Sequence, residues 1–146
     1  MAKLFIYLPT YNRPESLRRQ LSSLLPQLAL FPQDARVLIC DNDSKAYALD
    51  DVLNGLPVLP NVEVRRNGGN IGGNGNIALG FVFAQSDEFL WILSDNDIVS
   101  SNAVAYLLSV LSSDFDFYCF VNGAESEQDV DHDWRSGWQI PMNWRM

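Results

Sequence analysis

The sequence is poor in basic side chains. Ten Lys and Arg residues stand against eighteen Asp and Glu, which gives a net charge of −8 over 146 residues. A protein that binds nucleic acid through the phosphate backbone needs a basic face, and this composition does not supply one. We therefore expect no nucleic acid partner. A small phosphorylated ligand would have to be held by a cation, a helix N-terminus or backbone N–H groups.

Soft metal ligands and long apolar runs are also scarce. Cys40 and Cys119 each lie in or at the end of an apolar run, which favours buried free thiols. His132 stands among acids and is predicted to be solvated rather than a metal ligand. The N-terminal apolar run ends at Pro9, so it predicts neither a signal peptide nor a membrane span. These features fit a reducing cytoplasm.

Apolar runs alternate with helical patterns along the chain. Strands are predicted at Leu4–Leu8, Arg36–Cys40, Phe89–Leu93 and Phe115–Val121, with Val62–Arg66 as an edge strand. Helices are predicted at Pro14–Leu25, Lys45–Leu53, Asn76–Gln85 and Ser101–Leu111, the first capped near Asn12 or Arg13 and the last at Ser100 or Ser101. This order predicts an α/β fold, a three-layer α/β/α sandwich with a mostly parallel sheet.

Polar clusters follow four of the predicted strands. They are Thr10–Arg13, Asp41–Ser44, Asn67–Asn74 and Ser94–Asp97. In open parallel sheets the ligand crevice lies beyond the carboxyl ends of the strands, so we expect the clusters to share one site. Each cluster also has an alternative interpretation as turn or cap residues, as a flexible glycine-rich loop or, for Tyr11, as a packed aromatic at the rim.

The Asp95-Asn96-Asp97 segment predicts a metal site. Residues two apart in an extended segment point to the same side. Two carboxylates held together beyond a buried strand repel each other unless a cation neutralises them. Hard oxygen ligands of this kind suit Mg²⁺ or Mn²⁺, which also bind diphosphate oxygens. The alternative is an exposed turn of acids and amides.

The ordered clusters resemble the family 2 glycosyltransferases of the GT-A type, in the nucleotide-diphospho-sugar transferase superfamily. The similarity covers residues 3–111 and rests on Ile6–Arg13, Leu38–Ser44, Asn70–Asn76 and Trp91–Asp97, the last resembling the strand with the family's DxD metal motif. It implies a glycosyltransferase that moves a sugar from a nucleotide diphosphate donor, expected to be a UDP-sugar, to an unknown acceptor. The reaction would be metal-dependent, with Mn²⁺ or Mg²⁺, and inverting.

The resemblance also implies roles for individual residues. Tyr11 would lie against the base, and Asp41 would accept a hydrogen bond from the base edge. Asp95 would lie near the ribose, and Asp97 would bind the metal, with Asp95 as the second candidate ligand. The implied nucleotide-binding residues are Pro9, Thr10, Tyr11, Asn12, Arg13, Asp41, Asn42, Gly72, Gly73, Asn76 and Asp95.

Two features depart from the family pattern. Gly75 precedes Asn76 where many relatives have an arginine, which weakens the case for phosphate or base contacts from this loop. Family members are usually longer, and their later half supplies the acceptor site and an acidic catalytic base. The acids of the C-terminal segment match no such context, so no base is assigned; they are Glu125, Glu127, Asp129, Asp131 and Asp133. We expect the chain to be the first part of a longer enzyme with little transfer activity alone.

Two parts of the chain are distinguished by their patterns. Residues 1–121 are predicted to form the nucleotide-sugar-binding core, whereas residues 122–146 lose the alternation and carry Trp134, Trp138 and Trp144. Tryptophans bury 150–250 Å² each when packed, so they are not expected to stay in water. Packing over the sheet, an acceptor-sugar platform and contact with a second copy stay open, and we expect self-association.

Three other functions stay open. A dinucleotide enzyme is suggested by Gly73-x-Gly75-x-x-Ala78, but Asn67–Gly72 intervene where the fingerprint requires a tight turn after the strand. A sugar nucleotidyltransferase would carry its glycine-rich loop directly after the first strand, where this chain has Pro9–Asn12. A nucleotide-binding module without a catalytic base would bind the donor without transferring its sugar.

Overall fold

The computed structural model describes residues 3–111. Over that range strands and helices alternate in the order β1 (Lys3–Thr10), α1 (Pro14–Leu28), β2 (Ala35–Asp41), α2 (Leu49–Leu53), β3 (Val62–Arg66), α3 (Gly73–Phe83), β4 (Glu88–Ile92) and α4 (Ala103–Val110). The predicted strand Phe115–Val121, the boundary after residue 121, Cys119, His132 and the tryptophan segment lie outside the described residues.

The described strands form one parallel sheet in the order β3-β2-β1-β4. β1 lies in the middle and pairs with β2 on one side and β4 on the other. The chain therefore progresses outward from β1 to β3 and then returns to the opposite side of β1. The strand order reverses between β1 and β4, and open α/β sheets bind ligands beyond the carboxyl ends at this point. The predicted α/β fold is confirmed, with Val62–Arg66 at the edge.

Apolar side chains cover both faces of the sheet. On one face Leu4, Ile6 and Leu8 of β1 pack with the buried leucines of α1. On the other face Phe5 and Tyr7 pack with Leu79 and other apolar residues of α3. Successive residues of a strand point to opposite faces, so an unbroken apolar strand is the pattern that a sheet between two helical layers requires.

The first helix begins as predicted but ends later. Pro14 occupies its first turn, where the missing N–H costs nothing. The predicted end at Leu25 is wrong, because α1 continues through Pro26 to Leu28. Leu28 is fully buried in the same core as the earlier leucines. Packing of Leu28 in the core therefore extends the helix beyond Pro26, near which local propensity predicts that it should end.

All three later helices begin at residues other than those predicted: α2 at Leu49, α3 at Gly73 rather than Asn76, and α4 at Ala103 rather than Ser101. α3 also ends at Phe83 rather than at Gln85. The predicted start of α2 at Lys45 is wrong because the Lys45 and Ala46 amides donate to Asn12 Oδ1, at 2.8 and 3.0 Å. The cap of α4 is Asn102 rather than a serine, without a side-chain cap bond. The Val104 amide instead donates to Gln27 Oε1 of α1 at 3.1 Å.

Gly80 lets α3 lie close to the sheet. A Cβ here would lie 2.9 Å from Tyr7 Cδ1 and 3.0 Å from Cγ. The Tyr7 ring is fully buried, and its hydroxyl donates to Asn76 O at 2.7 Å. We expect Gly80→Ala to lower the free energy of unfolding by about 1–3 kcal/mol in urea denaturation. Gly73→Ala, where no atom lies within 4 Å, is the matched control. Equal effects of both substitutions would contradict close packing at Gly80.

Gln20 of α1 is a buried amide without a partner among the described residues. It is fully buried, and neither Oε1 nor Nε2 makes a hydrogen bond. Burying an unpaired amide costs stability, so we expect Gln20→Met to raise the free energy of unfolding by about 1–2 kcal/mol. Gln27→Met is the matched control and should lower it, because the Gln27 amide bonds Ser100 O and the Val104 amide. Thermal denaturation showing that both variants are destabilised would contradict this expectation.

Candidate functional site

The four polar clusters meet at one edge of the sheet. Thr10 and Asp41 face each other as the last register pair of β1 and β2. The Asn42 amide donates to Thr10 O, and the Asn67 amide donates to Asp41 O, both at 2.9 Å. Asp95 follows β4 and is bonded to the Thr10 side chain. We call this the carboxyl edge. The structure brings residues from all four clusters together there.

Asp95 is one of two buried carboxylates at the carboxyl edge, with Asp41. Asp95 is 4% exposed. The Thr10 hydroxyl donates to Oδ2 at 2.8 Å, and Arg13 Nη1 donates to Oδ1 at 3.2 Å. The Arg13 side chain is itself 57% exposed, so its remaining N–H groups stay accessible. A buried carboxylate needs such compensation, and here it ties the end of β4 to the β1–α1 loop.

Asp97 lies at the surface after a turn. Residues 95–96 form that turn, and the Asp97 amide donates to Ser94 O at 3.3 Å. The expectation that this segment stays extended is therefore wrong. Asp95 is held inward by Thr10 and Arg13, and a bond between Ser94 Oγ and Asn96 Oδ1 closes the turn. The two aspartates differ accordingly, with one buried and bonded and the other exposed.

The donor chemistry at Asp97 fits a hard divalent cation. No side-chain hydrogen bond or ion pair engages its carboxylate within residues 3–111, and no group of three or more His, Cys, Asp or Glu side chains in that range is placed to hold a metal. Mg²⁺ is commonly bound through one or two carboxylates plus substrate phosphates and waters. A cation at Asp97 would therefore complete its coordination with oxygens from the ligand and solvent.

Asp41 closes the turn after β2. Its carboxylate is 1% exposed and accepts from the Ser44 amide at 3.2 Å and from the Ser44 hydroxyl. Arg66 Nε lies 3.6 Å from Asp41 Oδ2. Asp43, within the turn, has φ 63°, a left-handed conformation that aspartate tolerates. Asp41 therefore stabilises a turn, which is one of the two roles that the sequence left open for it.

Three further predicted residues lie at the end of β1 and in the loop between β1 and α1. Pro9 is half-buried at the end of β1, and the ring of Tyr11 is 40% exposed at the rim. Asn12 has φ 54°, and its amide donates to Ser44 Oγ at 2.8 Å. Because the Asn12 side chain accepts the two amides that delay α2, Asn12 joins two loops, whereas Tyr11 presents an aromatic surface to solvent.

Cationic side chains gather at this edge although the protein is acidic. Lys45 Nζ lies 2.8 Å from Asp43, and Arg66 Nη2 lies 3.1 Å from it. The hydrogen bond from Lys45, followed by that from Arg66, holds the pKa of Asp43 below its usual value. Arg13 is likewise paired with Asp95, so the cations of this edge offset its aspartates.

Sequence reasoning missed part of the site. Asn42 and Asn76, predicted to bind nucleotide, are buried, whereas Gly72 and Gly73 are exposed before and at the start of α3. Asn67 and Asn70 were not singled out, although both bond to Asn42. Their position in the asparagine-rich stretch after β3 was the available signal. Burial raises the pKa of the neighbouring Cys40 thiol, consistent with the predicted buried free cysteine.

Comparison with known proteins defines the class of this chain. Residues 5–145 match the model of the Glycosyl transferase family 2, and the chain belongs to that family. It is 32% identical over 113 residues to the abequosyltransferase RfbV of Salmonella typhimurium strain LT2, an alignment that covers 76% of this chain and 33% of that protein. The resemblance predicted from the ordered clusters is therefore confirmed, and the dinucleotide and nucleotidyltransferase alternatives lose their support.

Solved structures show the same fold. The chain superposes on S. aureus TarS 1–349 with a TM-score of 0.62 and 23% identity, covering 73% of this chain and 31% of that one. The complex of TarS 1–349 with UDP-GlcNAc gives a TM-score of 0.54 and 21% identity over 73% and 30%. The chain spans about a third of the length of these relatives. Within residues 3–111, none of the helices has the length and hydropathy that crossing a bilayer requires.

Proposed function

We propose that the protein is a glycosyltransferase that takes its sugar from a nucleotide diphosphate donor, and that the carboxyl edge binds this donor. The observation that carries the proposal is the group formed by Thr10, Arg13 and Asp95, next to the exposed Asp97, at the point of strand reversal in a family 2 chain. We favour a UDP-sugar as this donor, because the chain shares its fold with a TarS structure solved with UDP-GlcNAc. The acceptor is unassigned.

In this proposal, buried and exposed residues of the carboxyl edge bind different parts of the donor. Tyr11, exposed at the rim, packs against the base. Asp95 keeps unused lone pairs beside its bonds to Thr10 and Arg13 and accepts from a ribose hydroxyl. Arg13, whose guanidinium is more than half exposed, donates its remaining N–H groups to phosphate oxygens. The role of Asp41 at the base edge stays a prediction, because Ser44 already engages its carboxylate.

Asp97 is the proposed ligand of Mg²⁺ or Mn²⁺. When bound, the cation neutralises negative charge on the departing nucleoside diphosphate. The positive charge of Arg13 also helps to neutralise the diphosphate. Transfer with inversion also requires a general base for the acceptor hydroxyl, and no described residue is assigned to that role. Cytoplasmic location and self-association likewise stay predictions.

Ligand-dependent stabilisation tests the donor class. In the presence of Mn²⁺ we expect UDP to raise the melting temperature of the protein more than ADP, GDP or NAD does at equal concentration, because the ligand with the lowest Kd stabilises the folded state most. A ligand at a hundred times its Kd stabilises the folded state by about 2.7 kcal/mol. Stabilisation by NAD alone would contradict the proposal. Release of UDP from a UDP-sugar separates an enzyme from a module that only binds nucleotide.

A further inference from the structure

Four asparagine side chains form a connected group beneath the glycine-rich loop, residues 68–72. Asn42 follows β2, Asn67 follows β3, Asn70 lies in the loop and Asn76 lies in α3. We call these four residues the amide cluster. Since Asn42 and Asn76 are among the predicted nucleotide contacts, the hydrogen bonds of the cluster decide whether their amides remain available to a ligand.

Asn42 has no hydrogen-bonding capacity left. Its side chain is buried, with the residue 2% exposed. Oδ1 accepts from Asn67 Nδ2 at 3.1 Å and from the Ile71 amide at 3.0 Å. Nδ2 donates to Asn70 Oδ1 at 2.9 Å and to Gly72 O at 3.3 Å. A side-chain amide offers two donors and two acceptor lone pairs, and all four are used within the protein.

Asn76 is also buried and bonded to protein through both ends of its amide, and Asn67 joins it to Asn42. Asn76 is 3% exposed, and its Nδ2 donates to Cys40 O at 3.1 Å. Its Oδ1 accepts from Asn67 Nδ2 at 3.0 Å, and the Tyr7 hydroxyl donates to the Asn76 backbone oxygen at 2.7 Å. Asn67 Nδ2 therefore donates to both buried amides. Through Asn67, the cluster connects β2, β3 and α3.

The cluster also holds the backbone of the glycine-rich loop. The Ile71 amide donates to Asn42 Oδ1, and the Gly72 amide donates to Asn70 Oδ1 at 2.8 Å. Gly72 then takes φ 80°, and α3 begins at the next residue. Because these bonds fix the amides of Ile71 and of Gly72, which is itself the residue with positive φ, they set the course of the loop into the helix.

We propose that Asn42 and Asn76 are positioning residues that affect donor binding through the glycine-rich loop. Asn67 and Asn70 take part in the same hydrogen-bond network. The amide cluster holds the glycine-rich loop at the carboxyl edge in the conformation that receives the nucleotide diphosphate. This inference rests on the proposed function for its ligand, whereas the hold on the loop is a property of the ligand-free protein. Because Asn67 is bonded to both buried amides, its loss should weaken donor binding as much as loss of Asn42.

Calorimetry with UDP and Mn²⁺ on the full chain tests this inference. We expect Asn67→Ala and Asn42→Ala each to raise the Kd for UDP about tenfold. The double variant should lose little more than either single variant, because residues in one network are not additive. Asn54→Ala, an exposed asparagine at the end of α2, is the matched control and should bind as the unmodified chain does. Wild-type affinity in Asn67→Ala with a loss in Asn42→Ala would indicate direct contact and overturn the proposal.

Amide NMR separates loop positioning from general stability. In ligand-free Asn67→Ala, hydrogen exchange at Ile71 and Gly72 should accelerate about tenfold, with exchange at Ile39 in β2 nearly unchanged. In the unmodified chain, UDP should shift the Ile71 and Gly72 resonances, and this signature should be lost in the variant. Unchanged exchange at Ile71 would overturn the positioning role alone, whereas an unmodified chain that binds no UDP would contradict the proposed function. If Asn67→Ala does not fold, the same comparison on the exposed Asn70→Ala decides.

Discussion

Replacing Asp95 with asparagine should weaken UDP binding about a hundredfold, roughly 2.7 kcal/mol. The substitution keeps the size of the side chain but removes the charge that Arg13 faces, and it places an amide where the Thr10 hydroxyl donates. Loss of these charge-assisted bonds also frees the β1–α1 loop from the end of β4. Isothermal titration with Mn²⁺ present measures the affinity, and urea denaturation should show a stability loss of about 1–2 kcal/mol.

Glu88→Gln provides the control for burial of a paired carboxylate. The Glu88 side chain is 4% exposed and bonds Arg36 Nε at 2.6 Å. Burial alone would raise the pKa of Glu88, but the bonds from Arg36 and the Gln85 amide outweigh it and hold the pKa below its usual value. Glu88 begins β4, at the opposite end of the strand from Asp95. Glu88→Gln should therefore destabilise the fold and leave UDP affinity unchanged. Equal loss of affinity in both variants would show that Asp95 acts only through stability.

Asp97→Ala should weaken metal-dependent UDP binding at least tenfold, or about 1.4 kcal/mol, with little change in stability. The exposed carboxylate makes no side-chain bond within residues 3–111, so its removal disturbs no contact there. Its loss instead removes the proposed protein ligand of the cation. Calorimetry with Mn²⁺ measures the effect, and Asp50→Ala, which removes an exposed acid from α2, controls for the change in net charge. Unchanged affinity in Asp97→Ala would exclude it as the metal ligand.

Sequence reasoning succeeded for the sheet because burial determines its pattern. β1 and β2 are covered on both faces, so their residues are apolar without alternation, whereas β3 lies at the edge and alternates. The starts of α2 and α4 differ from the prediction because they depend on distant partners. Asn12 captures the amides at the predicted start of α2, and Gln27 of α1 bonds the Val104 amide in the first turn of α4. Contacts between residues more than thirty positions apart leave no local signal.

The location of the candidate site was more predictable than the state of its side chains. Strand ends in a parallel sheet share one edge, so the positions of the clusters predicted that they would lie together, as they do among the described residues. Spacing alone could not show that Asp95 turns inward to Thr10 while Asp97 stays exposed. Nor could the sequence show that Asn42 is buried and fully hydrogen-bonded rather than available to a ligand. Those distinctions depend on which neighbours supply hydrogen bonds in the folded chain.

The central claim is that the carboxyl edge binds a nucleoside diphosphate through a divalent cation. The most direct measurement is a calorimetric titration of UDP into the chain, carried out once with Mn²⁺ and once with EDTA. The account predicts an affinity at least about tenfold higher with the metal, because an acidic protein with an exposed carboxylate at the site repels free diphosphate. Equal affinity under both conditions, or no binding of UDP under either, would contradict it.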